Sequence, residues 1–189
     1  ARLQGADGVP PTDEQLLLAE AGDAVEVALY IDAGVLERLG RHCPLRALDE
    51  RNLADFLTAL EGVSHFHYFT WSASRARAVS LLEQELQAEV DKYASALRLL
   101  LEQGEGRFPA GLHERLFERS RLRPGLEPSD HSRYAEAHRC AARFCRRLEE
   151  RFLKPRRAKP EGLLAELRAY DVALRDVIRH CIYGVDINP

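Results

Sequence analysis

The sequence has few of the residues that stabilise secreted proteins. It contains four cysteines in 189 residues, and no two of them form a CxxC pair. A disulfide framework therefore has little support. We interpret the cysteines as reduced, mostly buried thiols in a cytoplasmic protein, because free thiols persist in reducing compartments. The four positions are Cys43, Cys140, Cys145 and Cys181.

Long hydrophobic runs are also missing. Uninterrupted apolar stretches span only a few residues, whereas a transmembrane helix needs about 20. The first ten residues, ARLQGADGVP, lack the apolar segment of a signal peptide. With a net charge of −3, the chain as a whole has no electrostatic attraction to nucleic acid or to an anionic membrane. We therefore expect a cytoplasmic protein with no membrane partner.

The overall composition is typical of a globular protein. The chain is 46% hydrophobic and 30% charged, and its length suits one folded domain with its own core. We expect a single helical domain over 1–189. Within it, residues 1–11 should form a loose lead-in, and residues 184–189 should form a terminal tail.

Helical periodicity dominates from residue 48 onward. Apolar residues recur at steps of three and four over 80–103, 131–153 and 161–182. A fourth helix is predicted from Asp49 to about residue 74. The fold class is therefore predicted to be all-α or mainly α, a helical bundle with about four long amphipathic helices and shorter ones.

Several residues are predicted to begin these helices. Asp49 should cap the first long helix, and Ser80 with Glu83 matches the S-x-x-E capping box of the second. Ser129 or Asp130 should cap the helix over 131–153.

The region before residue 48 gives a weaker signal. Thr12 is predicted to open a short helix through EQLLLAEA, residues 14–21. The segment AVEVALYI, 24–31, alternates and carries β-branched residues, so it is either a single short β element or a lead into the helix DAGVLERLG.

A histidine-rich stretch, EGVSHFHYFTW, lies within the first long helix. Glu61 and His65 are four residues apart and share one face, whereas His67 points elsewhere. In a bundle, Glu61 and His65 could converge with Glu89 and His138 to bind Fe, Mn or Zn. The sequence favours a structural polar cluster over this metal site, because the Glu-x-x-His pair of di-metal bundles is absent.

Two charged stretches have simpler interpretations. ELQAEVDKY, 85–93, is predicted to be a solvated acidic surface, with partner docking as the alternative. The basic stretch after residue 138 could contact nucleic-acid phosphates, although a solvated helix with ion pairs is favoured. The basic candidates are Arg139, Arg143, Arg146, Arg147, Lys154, Arg156 and Arg157.

The segment VIRHCIYGVDINP, residues 177–189, ends the chain. It is similar to the part of N6-adenine DNA methyltransferases in which an acidic residue after a strand holds the ribose of S-adenosylmethionine. The resemblance implies that Asp186 would contact that ribose. The family's DPACGSG-type loop and NPPY tetrapeptide are absent from this sequence, so we favour no cofactor.

The segments EGVSHF and QAEVDKY resemble segments of uncharacterised bacterial helical proteins. We therefore expect a cytoplasmic bacterial protein with a binding or regulatory role and no catalysis of its own. Its partner should be another protein or a second copy of itself. The alternatives are a metal-binding protein or enzyme that uses the carboxylate–histidine cluster, and a nucleic-acid-associated accessory protein.

Overall fold

The computed structural model describes residues 12–21, 24–119 and 127–150. This part of the chain is mostly helical, as predicted. None of its helices is both long and apolar enough to cross a membrane. The elements in chain order are strands β1 (Glu14–Ala21) and β2 (Ala24–Ile31), helices α1 (Ala33–Arg41), α2 (Leu53–Ala73) and α3 (Leu81–Gln103), a π-helical turn (Glu114–Glu118), and helix α4 (Pro128–Leu148).

The first two strands form an antiparallel sheet. Leu16 pairs with Leu29, and Leu18 pairs with Val27. The strand prediction for 24–31 is confirmed, but the helix predicted over 14–21 is wrong, and so is the expectation of a single β element. Leucine, alanine and glutamate favour a helix locally. A strand needs a partner for its backbone groups, however, and the segment before β2 supplies it.

Helix α3 begins at the predicted capping box. The hydroxyl of Ser80 accepts a hydrogen bond from the Glu83 backbone N–H at 3.2 Å. The Glu83 carboxylate accepts from the Ser80 N–H at 2.9 Å. These two hydrogen bonds satisfy backbone N–H groups that would otherwise lack partners at the start of the helix.

The other two predicted caps are wrong. Helix α2 follows Asn52, and the Asp49 carboxylate instead binds Arg51, which lowers the pKa of Asp49 to about 2. Helix α4 begins at Pro128, so Ser129 and Asp130 lie inside its first turn. Proline suits that position because its missing N–H would have no helical partner there.

Helix α3 is the central element, packed between α2 and α4. The sheet and α1 contact α2, and the π-helical turn contacts α4. The main apolar core lies around the second half of α3 and includes Val90, Tyr93, Leu97, Leu101, Leu116, Phe117, Ala141 and Cys145.

The apolar stripes of the sequence predict eight buried core residues, and those in the described part are buried or half-buried. Val90, Tyr93, Leu97 and Leu148 are buried, while Leu86 and Phe144 are half-buried. The other predicted core residues, Leu167 and Leu174, lie outside the described residues. The helix predicted over 161–182, the lead-in at 1–11 and the tail at 184–189 lie outside them too, and stay predictions.

The cysteines are less uniformly buried than predicted. Cys145 is fully buried, whereas Cys43 and Cys140 are half-buried. All three are free thiols. Burial raises the pKa of the Cys145 thiol well above its usual value, which keeps it protonated and unreactive. Cys181 lies outside the described residues.

Candidate metal centre

The four residues of the predicted metal site form two separate groups. Glu61 and His65 project from α2 toward Glu85 on α3. Glu89, also on α3, binds His138 on α4. The alternative metal site of the sequence analysis is therefore arranged differently in the structure, with Glu85 beside His65 and with Glu89 paired to His138.

The first group is compact. One ligand atom each from Glu61, His65 and Glu85 lies within 4.8 Å of the other two. His65 Nε2 is 3.5 Å from Glu85 Oε2. Helical spacing places Glu61 and His65 on the same face of α2. We name these three residues the Glu61–His65–Glu85 cluster.

Small residues allow the two helices to approach at this cluster. Ser64 of α2 donates a hydrogen bond to Asp91 of α3, and α3 buries Ala88 nearby in sequence. His65 is only 9% exposed in this interface, as predicted, and His67 lies exposed on a different face. The interface therefore brings the imidazole and both carboxylates together away from bulk solvent.

The imidazole of His65 has an unusual environment. Among the described residues, its buried Nε2 makes no hydrogen bond of normal geometry, and Glu85 is the acceptor placed beside it. The 3.5 Å separation from Glu85 is long for a hydrogen bond between these atoms. Burial alone would lower the pKa of His65, but Glu85, Glu61 and Glu14 outweigh it and raise that pKa. The site therefore attracts a positive charge to this nitrogen, and either a proton or a cation can provide it.

Two cationic side chains support the carboxylates from outside the cluster. Lys92 Nζ lies 3.0 Å from Glu61 Oε2 and also contacts Glu89. Arg133 Nε lies 3.9 Å from Glu85 Oε1, whereas His65 lies beside the other oxygen of that carboxylate, Oε2. Such outer partners hold ligating carboxylates in place in known metal sites.

The acidic stretch on α3 is not the solvated surface that the sequence predicts. The side chain of Glu85 is 10% exposed, and that of Lys92 is 15% exposed. Asp91 accepts hydrogen bonds from Ser64 and Gln87. Burial raises the pKa of Asp91, although these two hydrogen bonds oppose it. The stretch lies inside the bundle because α2 covers one side of α3 and α4 covers another.

The second group is a closed ion pair. His138 Nδ1 lies 2.8 Å from Glu89 Oε2, and Nε2 lies 3.0 Å from the Phe117 carbonyl oxygen. Both neighbours are acceptors, so only the protonated imidazolium can donate to both. The hydrogen bond with Glu89 is the main cause of the raised pKa of His138. This histidine already has two partners and ties α4 to α3 and to the π-helical turn.

The basic residues of α4 are partly engaged in ion pairs. Arg139 binds Glu136, and Arg146 binds Glu118. Arg143 and Arg147 are exposed. The remaining candidates, Lys154, Arg156, Arg157 and the ribose candidate Asp186, lie outside the described residues.

Glu85 and Lys92 are the site residues that sequence reasoning missed. The spacing of Glu85, Glu89 and Lys92 is four and then three, so the three residues share one face of α3. That pattern was available from the sequence. It indicates a polar interface only once α2 is known to cover that face.

Comparison with protein-family models, curated proteins and solved structures finds no match for this chain. The resemblances to N6-adenine DNA methyltransferases and to bacterial helical proteins therefore stay predictions. Any function must be argued from the geometry of the described residues.

Proposed function

We propose that this protein binds one divalent first-row transition metal ion, Mn²⁺, Fe²⁺ or Zn²⁺, at the Glu61–His65–Glu85 cluster. One observation carries the proposal. A buried imidazole nitrogen faces two carboxylates and has no hydrogen-bond partner among the described residues. Buried polar atoms are normally satisfied, so such an atom needs a partner, and a metal ion would supply one.

The donor set suits these ions. Two carboxylate oxygens and one imidazole nitrogen match Mn²⁺, Fe²⁺ and Zn²⁺, whereas Ca²⁺ and Mg²⁺ prefer oxygen ligands alone. Zinc ligands lie about 2.0–2.2 Å from the ion, so any two are at most about 4.4 Å apart. The three ligand atoms of the cluster lie within 4.8 Å of one another, so their spacing is near this limit.

The rival role of the cluster is structural. A proton on His65 could hold the two carboxylates together as an ion pair, as the sequence favoured. Metal and proton would then compete for the same nitrogen, because an imidazole binds metal only through a deprotonated nitrogen. The two roles make different predictions for a stoichiometric titration.

Calorimetric titration of EDTA-treated protein with Zn²⁺ and with Mn²⁺ tests the proposal. We expect about one equivalent to bind, and His65→Asn to weaken binding at least tenfold. His67→Asn is the matched control, because His67 is exposed two residues away on the same helix. A wild-type protein that binds neither ion, or a His65→Asn variant that binds as tightly as wild type, would contradict the proposal.

The wider setting is proposed from the sequence. The protein would be a cytoplasmic bacterial bundle of about four long helices, with a binding or regulatory role and no catalysis of its own. Exposed apolar side chains support a protein partner or a second copy. They include Leu18, Val25, Tyr30 and Leu81. Nucleic-acid contact is not favoured, because Arg139 and Arg146 already bind glutamates.

A further inference from the structure

The sheet brings another carboxylate to the Glu61–His65–Glu85 cluster. Glu14 is the first residue of β1, and its Oε2 atom is shielded from solvent. A methyl group built on Gly62 would lie 3.1 Å from that oxygen. The Glu14 carboxylate therefore lies directly over the backbone of α2 at Gly62.

This position is beside both α2 residues of the cluster. Gly62 directly follows Glu61, and it precedes His65 by three residues, which places Gly62 and His65 on one helical face. Glu14 is also among the carboxylates whose charge acts on His65. Three carboxylates from β1, α2 and α3 thus act electrostatically on one imidazole, two of them from within the cluster.

The glycine explains how the sheet approaches so closely. The same methyl group on Gly62 would lie 2.8 Å from Leu29 Cδ1, closer than real side chains pack. Glycine is less favourable than alanine inside a helix. Its presence at this position is accounted for by the sheet, which needs the space to bring Glu14 against α2.

We infer that Glu14 provides a further oxygen ligand to the ion, so that metal binding fastens the β1–β2 sheet to the helices. The inference rests on the proposed metal site. Three carboxylates would repel one another around a neutral imidazole. A divalent cation would remove that repulsion and would link β1, α2 and α3 through one centre. The packing of the sheet would then depend on metal occupancy.

Zn²⁺ titration of wild type, Glu14→Gln and Glu26→Gln tests the inference. Glu26 is the control, because it lies exposed on β2 of the same sheet. We expect Glu14→Gln to raise the Kd for Zn²⁺ by about 10–100-fold and Glu26→Gln to leave it unchanged. Zn²⁺ should also slow amide hydrogen exchange in the sheet of wild type, and much less in Glu14→Gln.

The possible outcomes separate the two proposals. If wild type binds no Zn²⁺, both the metal site and the role of Glu14 are wrong. If wild type binds Zn²⁺ and Glu14→Gln binds it equally well, only the role of Glu14 is wrong. In EDTA, the β1–β2 sheet of Glu14→Gln should still form, although loss of the Glu14 charge near His65 can lower the denaturant midpoint slightly. A sheet that is already lost from this variant in EDTA would make Glu14 a structural residue and overturn the inference.

Discussion

Helix α3 has two interfaces of different composition, although the one toward α4 also contains the Glu89–His138 pair. Toward α4 and the π-helical turn it buries Leu97 and Tyr93 against Ala141 and Phe117, all at most 8% exposed. Toward α2 it presents Glu85, Lys92 and Asp91 instead. Apolar burial stabilises a fold, whereas burial of charges often costs more than their pairing returns. The apolar interface therefore accounts for stability, and the polar interface needs another explanation, which metal binding would supply.

The histidines at the two interfaces differ in the same way. His138 has an acceptor at each ring nitrogen, Glu89 and the Phe117 carbonyl. His65 Nε2 is buried with no hydrogen-bond partner among the described residues. A histidine with a hydrogen-bond partner at each ring nitrogen can be accounted for by a structural role alone. A histidine that lacks one identifies the place where a ligand would improve the structure.

The largest effect is expected from breaking the apolar interface. Leu97 is fully buried, so Leu97→Ala should lower the free energy of unfolding by about 2–5 kcal/mol. Urea unfolding followed by circular dichroism measures the change. Leu82→Ala is the control, because Leu82 is 40% exposed on the same helix and should change the stability far less. A loss below about 1 kcal/mol for Leu97→Ala would show that this interface does not dominate stability.

A smaller loss is expected from the polar interface. Lys92→Met would leave Glu61 and Glu89 without their shared cation. Removing one partner of a fully buried ion pair costs about 3–5 kcal/mol. Because both carboxylates keep some contact with solvent, we expect a loss in the free energy of unfolding at or below the lower end of that range.

The matched control for Lys92→Met is Arg98→Met on the same helix. Arg98 and Glu102 form a surface pair with side chains 70% and 54% exposed, and such pairs contribute at most about 1 kcal/mol. Equal losses for the two variants in urea unfolding would show that the Lys92 pairs are no stronger than surface ones.

The smallest expected effect is a change in how the free energy of unfolding depends on pH. The pKa of His138 is raised above its ordinary value of 6.5, mainly by Glu89, so the folded state favours the imidazolium. Its stabilisation should be complete below the unfolded pKa and should disappear as pH rises through the folded pKa. The difference in unfolding free energy between wild type and His138→Gln should therefore shrink as pH rises above about 6.5.

The control for this titration is His131→Gln, because His131 is exposed on the same helix. Within the described ranges, the groups that shift the pKa of His138 include Glu89, Lys92 and the Phe117 carbonyl. A stability difference that stays flat with pH would mean that folding leaves the pKa of His138 unchanged, and one that grows would mean that folding lowers it; either contradicts the prediction.

Local features were predictable from the sequence, and contacts between elements were not. The Ser80 capping box and the apolar stripe of α3 depend on neighbours three or four residues away, so their pattern is visible in the chain. The segment 14–21 has helix-forming residues, and only pairing with 24–31 makes it a strand. Glu85 looked like a surface residue, because the sequence does not specify which face of α3 is covered by α2.

The order of packing along the chain also has a kinetic consequence. In the described part, β1 packs on β2 and α2 packs on α3 across short connections, whereas residues 104–127 separate α3 from α4. Short loops between contacting elements lose little entropy on closing, and helical proteins with mostly local contacts fold in about microseconds to milliseconds. This arrangement should therefore reach its native packing quickly, with the docking of the sheet on α2 among the later steps.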